Sequence, residues 1–383
     1  MSVTTPHGFR AAGVAAGLKA SGGHDVALVV NDGPTHDSAS VFTANRCLAN
    51  PVLWSQEAVK DGTVRAVVLN SGGANCYTGP EGFATTHAVA ERVAGHLGVG
   101  AIDVVVCSTG LIGLTNDRQV LLAGVDAAYA DLSPAGGAAA AAAIMTTDSV
   151  RKQTLVEGPG WSIGGMAKGA GMLAPQLATM LVVLTTDAVV PAADLDRALR
   201  AATRVTFDRL DSDGCMSTND TVTVMASGAS GITPSPPDFT EALTQSCADL
   251  AGQLLRDAEG ADHEIAITTL NAASEDEAVD VGRSVARSNL FKAAVFGKDP
   301  NWGRVLASIG TTSAAFDPGD LDVAMNGVWV CRGSAPAEDP ALVDLSPREV
   351  SVTIDLKSGS DRATVWTNDL TLAYVHENSA YSS

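Results

Sequence analysis

The run Met180-Leu181-Val182-Val183-Leu184 is apolar throughout, β-branched at its centre and closed by Thr185-Thr186-Asp187. It leaves no polar alternate positions for solvent, so it reads as a strand buried on both faces. Just upstream, Lys168-Gly169-Ala170-Gly171 opens a small-residue loop that passes Pro175 and reaches Ala178-Thr179. Thr179 therefore falls where a loop becomes a rigid strand. In one reading it is a β-branched residue that opens the strand. In a second reading its hydroxyl attacks the Ala178 carbonyl, the ester hydrolyses, and Thr179 becomes a new N-terminus. A free α-amine titrates near ~8 and can serve as general base for its own hydroxyl. Spacing alone does not choose between these readings.

With 383 residues the chain has room for two or three domains or one large α/β body. Its net charge of −19 opposes nucleic-acid binding, which needs excess Lys and Arg against phosphates. Six scattered cysteines without a C-x-x-C pair read as free thiols of a reducing compartment. The N-terminal stretch has no basic region followed by an apolar one, and no apolar run approaches ~20 residues. The expectation is a cytoplasmic protein with no membrane partner.

Further strands are expected at Val26–Val30, Ser40–Thr43, Ala66–Leu69 and Ile102–Val106. Helices are expected over 81–98, over the alanine-rich 135–145, from an Asp194 cap to about Asp208, and after the capping residues Ser274-Glu275-Asp276-Glu277. Residues 232–238 form a surface loop leading to a helix with Phe239, Leu243, Leu250 and Leu254 on one face. Leu321–Met325 and Val350–Ile354 alternate as half-exposed strands do. Asp211-Ser212-Asp213-Gly214 invites a calcium loop, but register puts Arg209 at position one and no glutamate at position twelve. No Walker loop or zinc motif occurs, and His376 is the one histidine in a motif-like setting. Ser108-Thr109-Gly110, after a buried strand, is either a plain turn or an oxyanion hole of hydroxyl and backbone N–H.

GFRAAGVAAGLK, VVLNSGGANCYTG, STGLIG, AIMTTD, GMAKGAGMLAPQLATMLVVLTTDA, STNDT, DAEGA, DPNWGRV and YVHENSAYSS follow one another between Gly8 and Ser383. Together they closely resemble the bacterial glutamate N-acetyltransferase family of arginine biosynthesis, also called ornithine acetyltransferase. The resemblance implies self-cleavage between Ala178 and Thr179, giving chains 1–178 and 179–383 that remain one globular unit. It implies Thr179 as nucleophile, Thr109 and Gly110 as oxyanion hole, and Thr146, Lys168, Thr179, Glu259, Asn378 and Ser383 around the substrates. The implied fold is a layered α/β sandwich of the ArgJ-like type, resembling N-terminal-nucleophile hydrolases but differently connected.

The implied reaction is ping-pong transfer of acetyl from N2-acetylornithine to L-glutamate through acetyl-Thr179, with no metal or organic cofactor. Some members also take acetyl-CoA as donor, and the usual assembly is a heterotetramer with two copies of each chain. Lys168 would supply positive charge and depress the Thr179 amine by like-charge repulsion; Glu259 would meet ornithine's side-chain amine. Leu114-Thr115-Asn116-Asp117-Arg118 departs from the Leu-Pro-Met of many relatives, and Ser383 replaces a common threonine. Two rival readings are a self-processing aminopeptidase or amidase using water as acceptor, and a binding protein merely matured by cleavage.

Overall fold

The computed structural model describes residues 2–172 and 180–380; Ala178, Thr179 and Ser383 lie outside the described residues. Nine strands build two sheets: β1 (Phe9–Val14), β2 (Val26–Asn31), β3 (Asp37–Phe42), β4 (Ala66–Asn70), β5 (Val104–Ser108), β6 (Lys152–Gly158), β7 (Trp161–Lys168), β8 (Leu181–Thr186) and β9 (Thr221–Ala226). Their orders are β1-β2-β4-β5 and β3-β9-β8-β7-β6. The β4–β5 and β8–β9 pairs are parallel, and the other neighbours in these sheets are antiparallel.

The helices that cover these sheets are α1 (Asn50–Ala58), α2 (Gly79–Leu97), α3 (Arg118–Ala130), α4 (Gly137–Ala143), α5 (Ala192–Val205) and α6 (Pro236–Arg256). Alternation along the strands explains the layering. In β8, Leu181 and Val183 enter a core shared with Ala27, Val29 and Val67 of the first sheet. Val182 and Leu184 point the other way, into a core with Leu195 and Leu199 of α5 and Leu250 and Leu254 of α6. The first sheet's outer face, with Leu28 and Val68, packs on Val89 and Val93 of α2 and Leu121 of α3. The order is thus helix, sheet, sheet, helix, and all six β8 residues are buried as their apolar sequence requires.

A third sheet holds β10 (Glu264–Ala272), β11 (Asp322–Met325), β12 (Val328–Arg332), β13 (Ala335–Pro336), β14 (Glu349–Asp355) and β15 (Asp361–Asn368), in the order β13-β12-β11-β14-β10-β15. Helices α7 (Glu275–Ala286), α8 (Asn289–Phe296) and α9 (Trp302–Ile309) supply its core through Val281, Val285, Phe291, Val295 and Ile309. The last helix described is α10 (Leu372–Ala380). Among the described residues, no helix is long and apolar enough to cross a membrane.

Several boundaries differ from the sequence expectation. Ile102 and Asp103 lie in a short 3-10 turn, and the strand begins at Val104. Asp194 occupies the first turn of α5 instead of capping it; Pro191 is the cap residue, and α5 ends at Val205. β11 is buried at all four positions, with Val323 and Met325 in the core and Asp322 ion-paired to Lys357 on the other face, whereas β14 alternates as expected. The β6–β7 hairpin was not anticipated: its glycines Gly158, Gly164 and Gly165 mask the apolar rhythm. Lys168 consequently ends a strand and does not open a loop.

Candidate active site

Two strand ends converge at the site. Thr109 and Gly110 follow β5, and Lys168 closes β7 beside the start of β8, where it pairs with Leu181. The Lys168 ammonium donates to the Thr109 hydroxyl at 3.3 Å. Lys168 is only 1% exposed and Thr109 2%, so neither a surface lysine nor an exposed turn describes this pair. Burial pushes the Lys168 ammonium below its ordinary range; Asp148, Asp220 and Glu259 oppose this, and Lys152 adds to it.

The Thr109 N–H is spent on the Asn70 carbonyl at 3.0 Å, while no acceptor among the described residues takes the Gly110 N–H. Gly110 has φ +128°, and a Cβ there would lie 3.0 Å from Gly73 Cα, so both backbone angle and space demand glycine. This leaves one backbone N–H and one hydroxyl, the latter bonded to a cation, at a cavity of about 220 Å³ lined by Thr109, Gly110, Leu111, Ile112, Met172 and Asn219. Such donors, fixed before a reaction, stabilise a developing oxyanion.

An amide scaffold immobilises the Thr109 strand end. Asn70 Nδ2 donates to Ser108 Oγ at 2.7 Å, and Asn219 Nδ2 donates to the carbonyls of Ser108 at 2.8 Å and Ala74 at 2.6 Å. Asn116, from the departing 114–118 segment, is buried and donates to Asn70 Oδ1 at 3.0 Å and the Gly73 carbonyl at 3.3 Å. Asp117 beside it caps α3 through the Gln119 and Val120 N–H groups. The unusual segment therefore braces the loop that carries Gly110.

Glu259 approaches from the far side. Its N–H donates to the Ala170 carbonyl at 2.9 Å, and its carboxylate lies so close to Gly171 that a Cβ there would sit 2.7 Å from Oε2. Asn378 on α10 donates to Glu259 Oε2 at 3.0 Å. Glu259 also lines a cavity of about 280 Å³ with Lys292, Asp369 and Tyr374. Thr146 is exposed, and its N–H donates at 2.9 Å to Asp148, which also accepts from Gly169 N at 2.7 Å. Thr109, Gly110, Lys168, Glu259 and Asn378 are thus linked directly or through a single turn, and Thr146 joins them through Asp148. His376 stands exposed on α10.

Sequence reasoning missed Asp148, Asn70, Asn219 and Asp220. Asp220 is fully buried and accepts from Met180 N at 3.0 Å, holding the first described residue after Thr179. Burial pushes its carboxyl well above the carboxylate range, against the Met180 N–H, the Ser217 hydroxyl and Lys168. The available signal was the polar STNDT stretch directly before an apolar strand, which is hard to leave buried without a partner to satisfy.

A family model described as the ArgJ family matches residues 10–383. A protein of Streptomyces coelicolor named arginine biosynthesis bifunctional protein ArgJ is 62% identical over 383 residues, covering all of both chains. A protein of the same name from Mycolicibacterium paratuberculosis is 54% identical over 389 residues, covering all of this chain and 96% of its own. Among solved structures, ornithine acetyltransferase of Mycobacterium tuberculosis complexed with ornithine matches at 54% identity and a TM-score of 0.45, over 47% of this chain and 96% of that one.

Proposed function

The chain belongs to the ArgJ family, and on that premise we propose that it moves the acetyl group of N2-acetylornithine to L-glutamate through an acetyl ester on Thr179. It is an acyltransferase of arginine biosynthesis. Maturation is self-cleavage between Ala178 and Thr179, which frees the threonine α-amine to act as base for its hydroxyl. The cut falls between β7 and β8, two strands paired over six residues, so the ladder keeps the halves 1–178 and 179–383 in one body. Two copies of each half form the assembly. The name bifunctional, carried by the relatives, supports acetyl-CoA as a second acetyl donor to glutamate.

In the first half-reaction the Thr179 hydroxyl attacks the acetyl carbonyl. The oxygen's developing charge is met by the Gly110 N–H and the Thr109 hydroxyl. Collapse breaks the amide C–N bond, and the proton taken from Thr179 passes to the departing amine of ornithine. In the second half-reaction the neutral amine of glutamate attacks the ester and Thr179 recovers its proton. Glu259 offers a carboxylate to ornithine's side-chain ammonium, and Thr146, Asn378 and Ser383 complete the substrate contacts.

The observation that carries this reading is the buried Lys168–Thr109 hydrogen bond beside Gly110, next to the strand ends that flank residues 169–180. Isotope exchange tests it. Labelled ornithine should enter N2-acetylornithine without glutamate, and double-reciprocal plots against both substrates should be parallel. Exchange that demands glutamate would refute the covalent intermediate; full-rate acetate release without glutamate would assign the site to an amidase.

A further inference from the structure

We propose that Asp148, Lys152 and Asp257 form a buried positioning cluster that holds the three segments bearing Thr146, Lys168 and Glu259 in fixed relation. The cluster serves the acyl-transfer site described above and in that sense rests on the proposed function. Lys152 opens β6 with its side chain fully buried, its ammonium 2.6 Å from Asp148 Oδ1 and 2.5 Å from Asp257 Oδ2. Asp148 spends its remaining capacity on the backbone of two site loops, accepting from Gly169 N at 2.7 Å and Thr146 N at 2.9 Å. Asp257 accepts from Ser149 N at 3.0 Å and from the Ser149 hydroxyl, and lies two residues before Glu259. The Glu259 N–H then returns to Ala170 O at 2.9 Å, closing the circuit.

The cluster also crosses the proposed cut. Asp148, Lys152 and Lys168 precede residue 178, and Asp257 and Glu259 follow it. A buried ion pair in hydrogen-bonded geometry is a poor source of stability but a strong determinant of relative position when all its partners are satisfied. Two carboxylates and one ammonium leave the cluster one negative charge in excess, which acts on the nearby Lys168 ammonium through Asp148.

The electrostatics give positioning a readout that mere packing lacks. Burial draws the Lys168 ammonium down; Asp148, Asp220 and Glu259 draw it up, and Lys152 draws it down. Lys19, whose own ammonium is lowered by burial and by Lys168, is a further cation facing Lys168 and Asp148. Burial raises the Asp148 carboxyl, but Lys168, Lys152 and the Gly169 N–H outweigh it and hold it at about 2. Asp148 is therefore an anion throughout the working range. Replacing it with asparagine removes support from the Lys168 ammonium, and removing Lys152 relieves repulsion. The two changes must move Lys168 in opposite directions.

The test is a titration of the lysine Cε carbons by NMR in the full-length protein, with Lys168 assigned from the signal lost in Lys168→Met. The Lys168 midpoint should fall in Asp148→Asn and rise in Lys152→Met/Asp257→Asn, a double variant that removes one charge of each sign and so leaves the cluster's net charge unchanged. Lys152→Arg should restore the wild-type direction. Acetyl transfer in the double variant should fall about 10- to 100-fold in kcat as the loops lose register. If one variant does not fold, the other's shift decides. A midpoint unchanged in the folded variants, with kcat within about twofold of wild type, overturns the inference. Opposite midpoint shifts in a protein that transfers no acetyl group would uphold the cluster and sink the transfer reading.

Discussion

Thr179→Ala leaves one uncut chain and lowers kcat/KM for acetyl transfer by at least ~10⁴-fold, because cleavage and turnover share one hydroxyl. Losing a nucleophile removes the covalent route itself, so the remaining oxyanion donors and substrate contacts have nothing to assist. Thr179→Ser separates the two roles of the side chain. It keeps the hydroxyl and loses the methyl group that favours a single rotamer, so it should still cleave and transfer, at a reduced rate. Electrophoresis under denaturing conditions reads cleavage, and a glutamate-dependent assay reads transfer. A Thr179→Ala protein that is cut and active at more than ~1% of wild type would place the nucleophile elsewhere.

Gly110→Val should lower kcat by about 10²–10³-fold, the usual cost of losing one oxyanion donor. Two independent faults combine at this residue. A β-branched side chain resists φ +128°, and the new Cβ would press on Gly73 Cα at 3.0 Å, a backbone atom with little freedom to move. The loop must then rotate, carrying the Gly110 N–H off its line. Since Asn70, Asn116 and Asn219 anchor the loop's base, the disturbance stays local and the fold survives. Steady-state kinetics beside a thermal melt checks this. A kcat within threefold of wild type in a folded Gly110→Val protein would remove Gly110 from the oxyanion hole.

The sheets were legible where strands are covered on both faces, because continuous apolar runs such as Val26–Val30 and Leu181–Leu184 admit few other fates. The β6–β7 hairpin escaped notice because Gly164 and Gly165 occupy buried positions where a side chain would collide, with Ser2 O in one case and Leu184 in the other. Strand register thus depends on a close approach that no periodicity announces. Asp194 looked like a cap because its residue type fits, but Pro191, with its fixed φ, begins the helix three residues earlier.

The supports of the candidate site were hidden in the sequence. Thr109, Gly110, Lys168 and Glu259 are named by the family resemblance, and the structure brings these four together. Asp257 lies 105 residues beyond Lys152, and Asp148, Lys152 and Asp257 all carry charges that ordinarily face solvent. Only the fold shows that they meet, with their side chains buried. Asn116 was the instructive departure: a residue outside the common pattern performs a supporting role through two hydrogen bonds.

The most direct test of the covalent account is a denaturing intact-mass spectrum of the wild-type protein, before and after N2-acetylornithine. The expected result is two fragments, of which the one beginning at Thr179 gains a single acetyl group that glutamate then removes. A chain that turns over while that fragment never carries acetyl, or that turns over uncut, would contradict acyl transfer through Thr179.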